Sequence, residues 1–99
     1  MPYEIEYSPE AEKHLRVLTA RQRKIVLDEV DKQLIDQPTV ETRNRKPMRP
    51  NPVAPWELRL DDLRVYYDVE EEPHPRVYIR AVGLKDHNRL FIGGEEIDL

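Results

Sequence analysis

The stretch VGLKDHNRLF, Val82 to Phe91, leaves an apolar run, passes a glycine, and sets out Lys85, His87, Asn88 and Arg89 before turning apolar again. Upstream, the runs WELRL and LRVYYDV carry Glu57, Arg59 and Arg64 on their polar sides. If these segments lie side by side in one sheet, Lys85 and His87 reach over its end toward Arg59 and Arg64, forming a cationic bowl. Such a bowl suits RNA cleavage without a metal. A base takes the proton of a ribose 2′-hydroxyl, the oxygen attacks the adjacent phosphorus, and cations stabilise the crowded phosphorane. Histidine titrates near neutrality, and a lysine crowded by other cations can be drawn into range, so His87, Lys85 and Glu57 are each candidate bases. Taken alone, His87 reads as a polar turn residue, and it matters to this chemistry only through its neighbours.

The elements that must position these groups follow from periodicity. Tyr3, Ile5 and Tyr7 alternate with Glu4 and Glu6, the pattern of a strand with one buried face. Ser8, Pro9 and Glu10 make a helix start: a capping hydroxyl, a proline at the first helical position and an acid at the positive end of the dipole. Ala11, Leu15 and Leu18 line one face of that helix. Thr19 and Gln22 have capping-box spacing, which predicts a second helix from near Ala20 to about Gln37, with Leu27, Val30 and Leu34 as its stripe. The two helices form a hairpin covering a sheet. His14, on the first helix, has no partner at metal-ligand spacing and reads as a surface or boundary residue.

Five prolines between Pro38 and Pro55 exclude a regular helix or a central strand there. Three runs then alternate. Trp56, Leu58 and Leu60 share a face, as do Leu63, Val65, Tyr67 and Val69; in RVYIRAV, Val77, Ile79 and Ala81 oppose Arg76, Tyr78 and Arg80. Gly83 reads as the turn after this third run. A brief strand, Leu90 to Ile92, precedes a Gly93-Gly94 turn, and the acids beyond it read as a solvated tail or as groups that bind back onto basic residues.

A two-residue loop at Asp61-Asp62 would pair Leu60 with Leu63, Arg59 with Arg64, Leu58 with Val65 and Glu57 with Tyr66. Two arginines then stand opposite each other, an arrangement unfavourable by up to about 1 kcal/mol. Either Glu57 or Asp68 compensates, or the pair holds an anion such as phosphate by parallel hydrogen bonds.

Composition bounds these readings. Ninety-nine residues, 38% hydrophobic and 36% charged, suit one domain spanning 1–99. The absence of cysteine excludes disulfides, cysteine zinc sites and a thiol nucleophile. No apolar run is long enough to span a bilayer and MPYEIEYS lacks signal-peptide character, so the expected location is cytoplasmic, with no membrane partner. The net charge of −4 argues against a field that seeks free nucleic acid. Charge is nonetheless local: RNRKPMR, 43–49, carries four basic residues and DVEEE, 68–72, four acids.

The order of elements, the ELRL and LRVYYDV hairpin and the closing VGLKDHNRLF together resemble the RelE/ParE superfamily of bacterial toxins, on its RelE-like side. The likeness runs over nearly the whole chain. It implies an α+β fold, β-α-α-β-β-β with a short C-terminal strand, in which an antiparallel sheet is covered by a helical hairpin. It implies a toxin held by a cognate antitoxin in a hetero-oligomer, which on release cuts messenger RNA on the ribosome with no metal or cofactor. Residue by residue, Arg59 is similar to a basic position that supports catalysis in RelE-like toxins, Arg64 to the arginine holding the scissile phosphate, and Lys85 to a basic position after the glycine. His87 falls close to positions that are basic or histidine in several members. Arg45, Lys46, Arg49, Arg80, Arg89 and Phe91 complete the expected substrate-binding set. Two positions depart from the pattern. Glu57 replaces a lysine considered a likely base in RelE, and Phe91 replaces a tyrosine; phenylalanine can stack on a base but cannot exchange a proton. The low charge is also atypical. The alternatives are a ParE-like inhibitor of DNA gyrase and a catalytically weakened interaction protein of the same fold.

Overall fold

The computed structural model describes residues 2–98. Its elements in chain order are β1 (Glu4–Tyr7), α1 (Pro9–Val17), α2 (Ala20–Leu34), β2 (Arg45–Pro47), β3 (Trp56–Leu60), β4 (Leu63–Glu70), β5 (Arg76–Asp86), β6 (Arg89–Ile92) and β7 (Glu95–Ile97). The sheet order is β2-β3-β4-β5-β6-β7, all antiparallel, and β1 pairs in parallel with β5. The antiparallel sheet under a helical hairpin is as expected, and β1 adds a parallel pair to it: one edge of β5 takes β1 along Arg76 to Ile79 and β6 along Gly83 to Asp86.

Both helix starts form as their sequences dictate. The Ser8 hydroxyl accepts from the Ala11 N–H at 3.0 Å, and Thr19 and Gln22 complete a capping box. Arg23 closes the tight link between helices by donating to the carbonyls of Leu15, which also accepts from the Leu18 N–H, and of Leu18. The second helix ends at Leu34, short of Gln37, and its buried stripe is Val26, Val30 and Leu34. Leu27, expected in that stripe, is 37% exposed. Strict four-residue spacing keeps the first three on one line over the sheet, and Leu27 is rotated away from it.

The helices cover one sheet face, where Leu58, Leu60, Leu63, Val65, Tyr67, Val77, Ile79 and Val82 join Ala11, Leu15, Val26, Val30 and Leu34. On the other face a smaller cluster of Ala54, Tyr66, Ala81 and Ile92 packs with Met48, Val53, Leu90 and Ile97. Ala81 therefore faces away from Val77 and Ile79, against expectation. The register shifts between Tyr66 and Tyr67, so that Tyr66 pairs with Ala81 and Tyr67 with Ile79, leaving Arg80 as the extra residue of a bulge. One added residue inverts every side chain beyond it.

Gly83 is likewise not a turn. The fifth strand runs through it to Asp86, and His87-Asn88 make the two-residue loop, with His87 at φ 58°. The Gly93-Gly94 turn does form, and the acids after it are not a loose tail: β7 pairs with β6, and Glu96 accepts from Arg89 at 2.8 Å.

His14 is fixed by a contact that its sequence does not announce. Its Nδ1 accepts from the Val82 N–H at 3.2 Å, and its ring lies beneath Gly93. Burial lowers its pKa below the ordinary 6.5, with the nearby Glu10 carboxylate opposing the shift. The folded state thus resists a proton that the unfolded chain accepts. The stability this provides is complete above about pH 6.5 and is lost as pH falls through the lower folded value. Urea midpoints measured from pH 7.5 to 5 should fall more steeply for the native protein than for His14→Gln.

Candidate functional site

The hairpin of β3 and β4 has the register read from its alternation, with Arg59 opposite Arg64 and Glu57 opposite Tyr66. On this face the strands form the floor of a cavity of about 520 Å³. Glu57, Arg59 and Tyr66 line it from β3 and β4, Lys85 from β5, Leu90 and Ile97 from β6 and β7, and Lys46 with Arg49 from the proline-rich segment. That segment is folded over the sheet by Asn51. Its amide donates to the carbonyls of Arg49 and Ala54, at 2.7 and 2.9 Å, and its oxygen accepts from Val53 and Ala54. The prolines remove competing N–H donors while the asparagine side chain supplies the turn.

Glu57 is 8% exposed, and its Oε1 accepts from Arg59 Nε at 2.7 Å. Burying a carboxylate is costly unless it is paired, and Arg59 supplies the pair. Glu57 thereby compensates the opposed arginines, one of the two solutions left open by the hairpin register. Among the described residues no acid holds the terminal guanidinium nitrogens of Arg59. Arg64 turns the other way: its Nη1 donates to the carbonyls of Asp61 and, at 2.8 Å, Leu63, bracing the hairpin tip.

Of the expected catalytic group, Glu57, Arg59 and Lys85 share the cavity, whereas Arg64 and His87 do not line it. The convergence of all five is corrected accordingly. His87 stands at a hairpin turn with 93% of its side chain exposed, its Nδ1 2.8 Å from Asp86. Of the expected substrate-binding set, Lys46 and Arg49 line the cavity, and Lys46 also lies 3.6 Å from Glu41. Arg45 is spent on structure, donating to the carbonyls of Gln33, in the last turn of α2, and of Val40 beyond it. Arg80, at the bulge, lies over the Tyr78 ring and 3.4 Å from Asp68.

Phe91 and Arg89 stand off the cavity for a reason of parity. Lys85 pairs with Leu90 and both face the cavity, so Phe91 points to the helix side, packed near His14, Val17 and Leu18. Arg89 lies over the Phe91 ring at 5.2 Å. Phe91 therefore cannot stack on a base held against Lys85.

Tyr66 is the lining residue that sequence reasoning passed over. It is 1% exposed, and burial first, then the Glu57 carboxylate, hold its hydroxyl far above the usual phenol range, so it stays protonated. The signal was its pairing with Glu57, whose face it must share. Chemically, the cavity combines two carboxylates, Glu57 and Asp98, a neutral hydroxyl and four cations around a space suited to a phosphodiester.

No family model and no curated protein matches the chain. Three chains of solved structures do. One comes from the crystal structure of the toxin-antitoxin complex RelBE2 of Mycobacterium tuberculosis, with a TM-score of 0.73 and 25% identity, covering 86% of this chain and 100% of that one.

Proposed function

We propose, from the premise that this chain has the RelE-like toxin fold of the RelE/ParE superfamily, that it is the toxin of a toxin–antitoxin pair and cleaves messenger RNA on the ribosome. The observation that carries this reading is the meeting of Glu57, Arg59 and Lys85 in one cavity rimmed by Lys46 and Arg49. In the proposed reaction Glu57 takes the 2′-hydroxyl proton and the oxygen attacks phosphorus. Arg59 stabilises the phosphorane through its terminal nitrogens, and Lys85 gives a proton to the departing 5′-oxygen as the P–O5′ bond breaks. The products are a 2′,3′-cyclic phosphate and a 5′-hydroxyl. Neither metal nor cofactor takes part, and a cognate antitoxin holds the toxin silent until its release. The work is divided between proton transfer and charge stabilisation, each of which typically supplies orders of magnitude in rate.

The test is incubation of the purified chain with programmed ribosomes, with mapping of message ends. Cleaved messages with cyclic ends support the reading; intact RNA refutes it, and DNA damage signalling on expression would select gyrase inhibition instead. Arg59→Ala and Lys85→Ala should each lower cleavage by about 100-fold. Because Arg64 is directed to the turn carbonyls, Arg64→Ala should cost less than either, with a measurable drop in urea midpoint.

A second reading, a weakened toxin kept as an interaction partner, draws on the placement of Phe91 and Arg64 outside the cavity. Expression without antitoxin distinguishes it: growth continues unarrested and messages stay whole.

A further inference from the structure

We infer that the notch between α1, the β5 bulge and the proline-rich segment is a second ligand site, which takes a free aliphatic α-amino acid by its carboxylate, its ammonium group and its side chain together. Its occupancy does not depend on RNA cleavage.

The notch exists because one edge of β5 is interrupted. β1 pairs along that edge as far as Ile79 and β6 takes over from Gly83, so Arg80, Ala81 and Val82 have no strand beside them there. Backbone groups left in this way need partners, and α1 with its cap supplies them. Ser8 Oγ donates to the Arg80 carbonyl at 3.1 Å, and His14 Nδ1 accepts from the Val82 N–H at 3.2 Å. Two side chains fill less space than a strand, and a cavity of about 310 Å³ remains. Val53, Ile92 and Ile97 give it an apolar wall; Glu10, His14 and Arg80 give it three polar groups.

Those polar groups are of complementary kinds. A ring nitrogen that accepts from an amide carries the lone pair, so the proton of neutral His14 sits on Nε2. The ring cannot turn without losing Val82, which leaves Nε2 a fixed donor. Arg80 adds a permanent charge. Its contact with Asp68 is long, at 3.4 Å, and engages one nitrogen of a guanidinium that has five N–H donors. Glu10 stands one helical turn before His14 on the same side of α1, and among the described residues it forms no ion pair.

Arg80 and His14 together match a carboxylate, Glu10 matches an ammonium group, and the apolar wall matches a branched aliphatic chain. An α-amino acid carries all three on one carbon. A phosphate fits less well, because the Glu10 carboxylate opposes its charge, and a simple carboxylic acid leaves Glu10 without a partner.

Leucine is the probe. Titrated into the ¹⁵N-labelled chain at neutral pH, it should shift the amides of Ala81, Val82 and Ile92 saturably, with half-saturation at about 1 mM or below. Two analogues each remove one group: 4-methylpentanoate lacks the ammonium, and leucinamide lacks the carboxylate. Each should bind about tenfold more weakly than leucine. Arg80→Gln should weaken leucine about tenfold, and Glu10→Gln should bring leucine down to the level of 4-methylpentanoate. A Glu10 that serves only the helix dipole would change the urea midpoint and leave the ranking of the three probes as it is in the native chain, which would overturn the inference. So would the absence of saturable shifts at about 20 mM leucine, saturation centred on amides away from the notch, or equal binding of all three probes. No RNA enters the titration, so its failure leaves the nuclease reading standing, and a native chain that leaves ribosomal messages whole leaves this inference standing.

Discussion

Glu57→Gln is expected to reduce message cleavage by about 1,000-fold in kcat, since a positioned general base contributes roughly 10² to 10⁴. The variant is chosen to separate proton transfer from binding. Glutamine nearly matches glutamate in shape, and its carbonyl oxygen still accepts from Arg59 Nε, so the 2.7 Å contact across the cavity floor has a neutral counterpart. What disappears is the charge. In the native protein that charge offsets part of the Arg59 guanidinium; without it the cavity keeps Lys46, Arg49, Arg59 and Lys85 with less acid among them. RNA affinity should therefore hold or rise while turnover collapses, and the acid limb of the rate profile should vanish. Single-turnover rates and filter binding on the same preparations check the two halves. A variant that cleaves at the native rate would exclude Glu57 as base, leaving Lys85 and Asp98 as cavity groups able to take that role.

The parts of this site that were legible in sequence are those that alternation alone determines. Leu58, Leu60, Leu63 and Val65 are buried on one face, so Glu57, Arg59 and Arg64 had to share the other, and a two-residue loop left a single register. The direction of a long side chain on that face was not legible. Arg59 and Arg64 differ in where their guanidiniums go because Glu57 neighbours one and the free carbonyls of the hairpin turn neighbour the other. Arg45 and Lys46 are adjacent in a basic run, yet only Lys46 faces the cavity, opposite Glu57, while Arg45 turns to the carbonyls of Gln33, in the last turn of α2, and Val40. A count of basic residues cannot separate the two. The fifth strand failed for a third reason. A bulge leaves no compositional mark, so RVYIRAV reads as unbroken alternation although Arg80 interrupts it. The cavity depends on that interruption, because it turns Ala81 toward Tyr66.

Gly83→Ala should be the most destabilising small substitution on the cavity face, at about 2 kcal/mol or more, and should also impair cleavage. Glycine is needed here for space and not for a turn: a Cβ on Gly83 would lie 2.6 Å from the Phe91 carbonyl oxygen and 3.0 Å from Ile92 Cγ1. The first of these is backbone, so no rotamer change relieves the contact, and β6 has to move as a unit. Gly83 pairs with Ile92, and two residues on Lys85 pairs with Leu90; displacing β6 thus disturbs the strand pair that presents the Lys85 ammonium to the cavity. The effect should be confined in a way that identifies its cause. Amide exchange should accelerate along β6 and β7, which β5 anchors, and much less along β3 and β4, whose register and helix-side core are untouched. Gly94→Ala provides the contrast. Its Cβ would meet Val17 Cγ1 at an ordinary 3.7 Å but on a backbone with φ +85°, so its penalty is conformational, local to the turn, and should leave Lys85 in place. Equal loss of cleavage in both variants would mean that any loosening of the C-terminal hairpin disables the site; loss in Gly83→Ala alone would tie activity to the β5–β6 spacing that places Lys85.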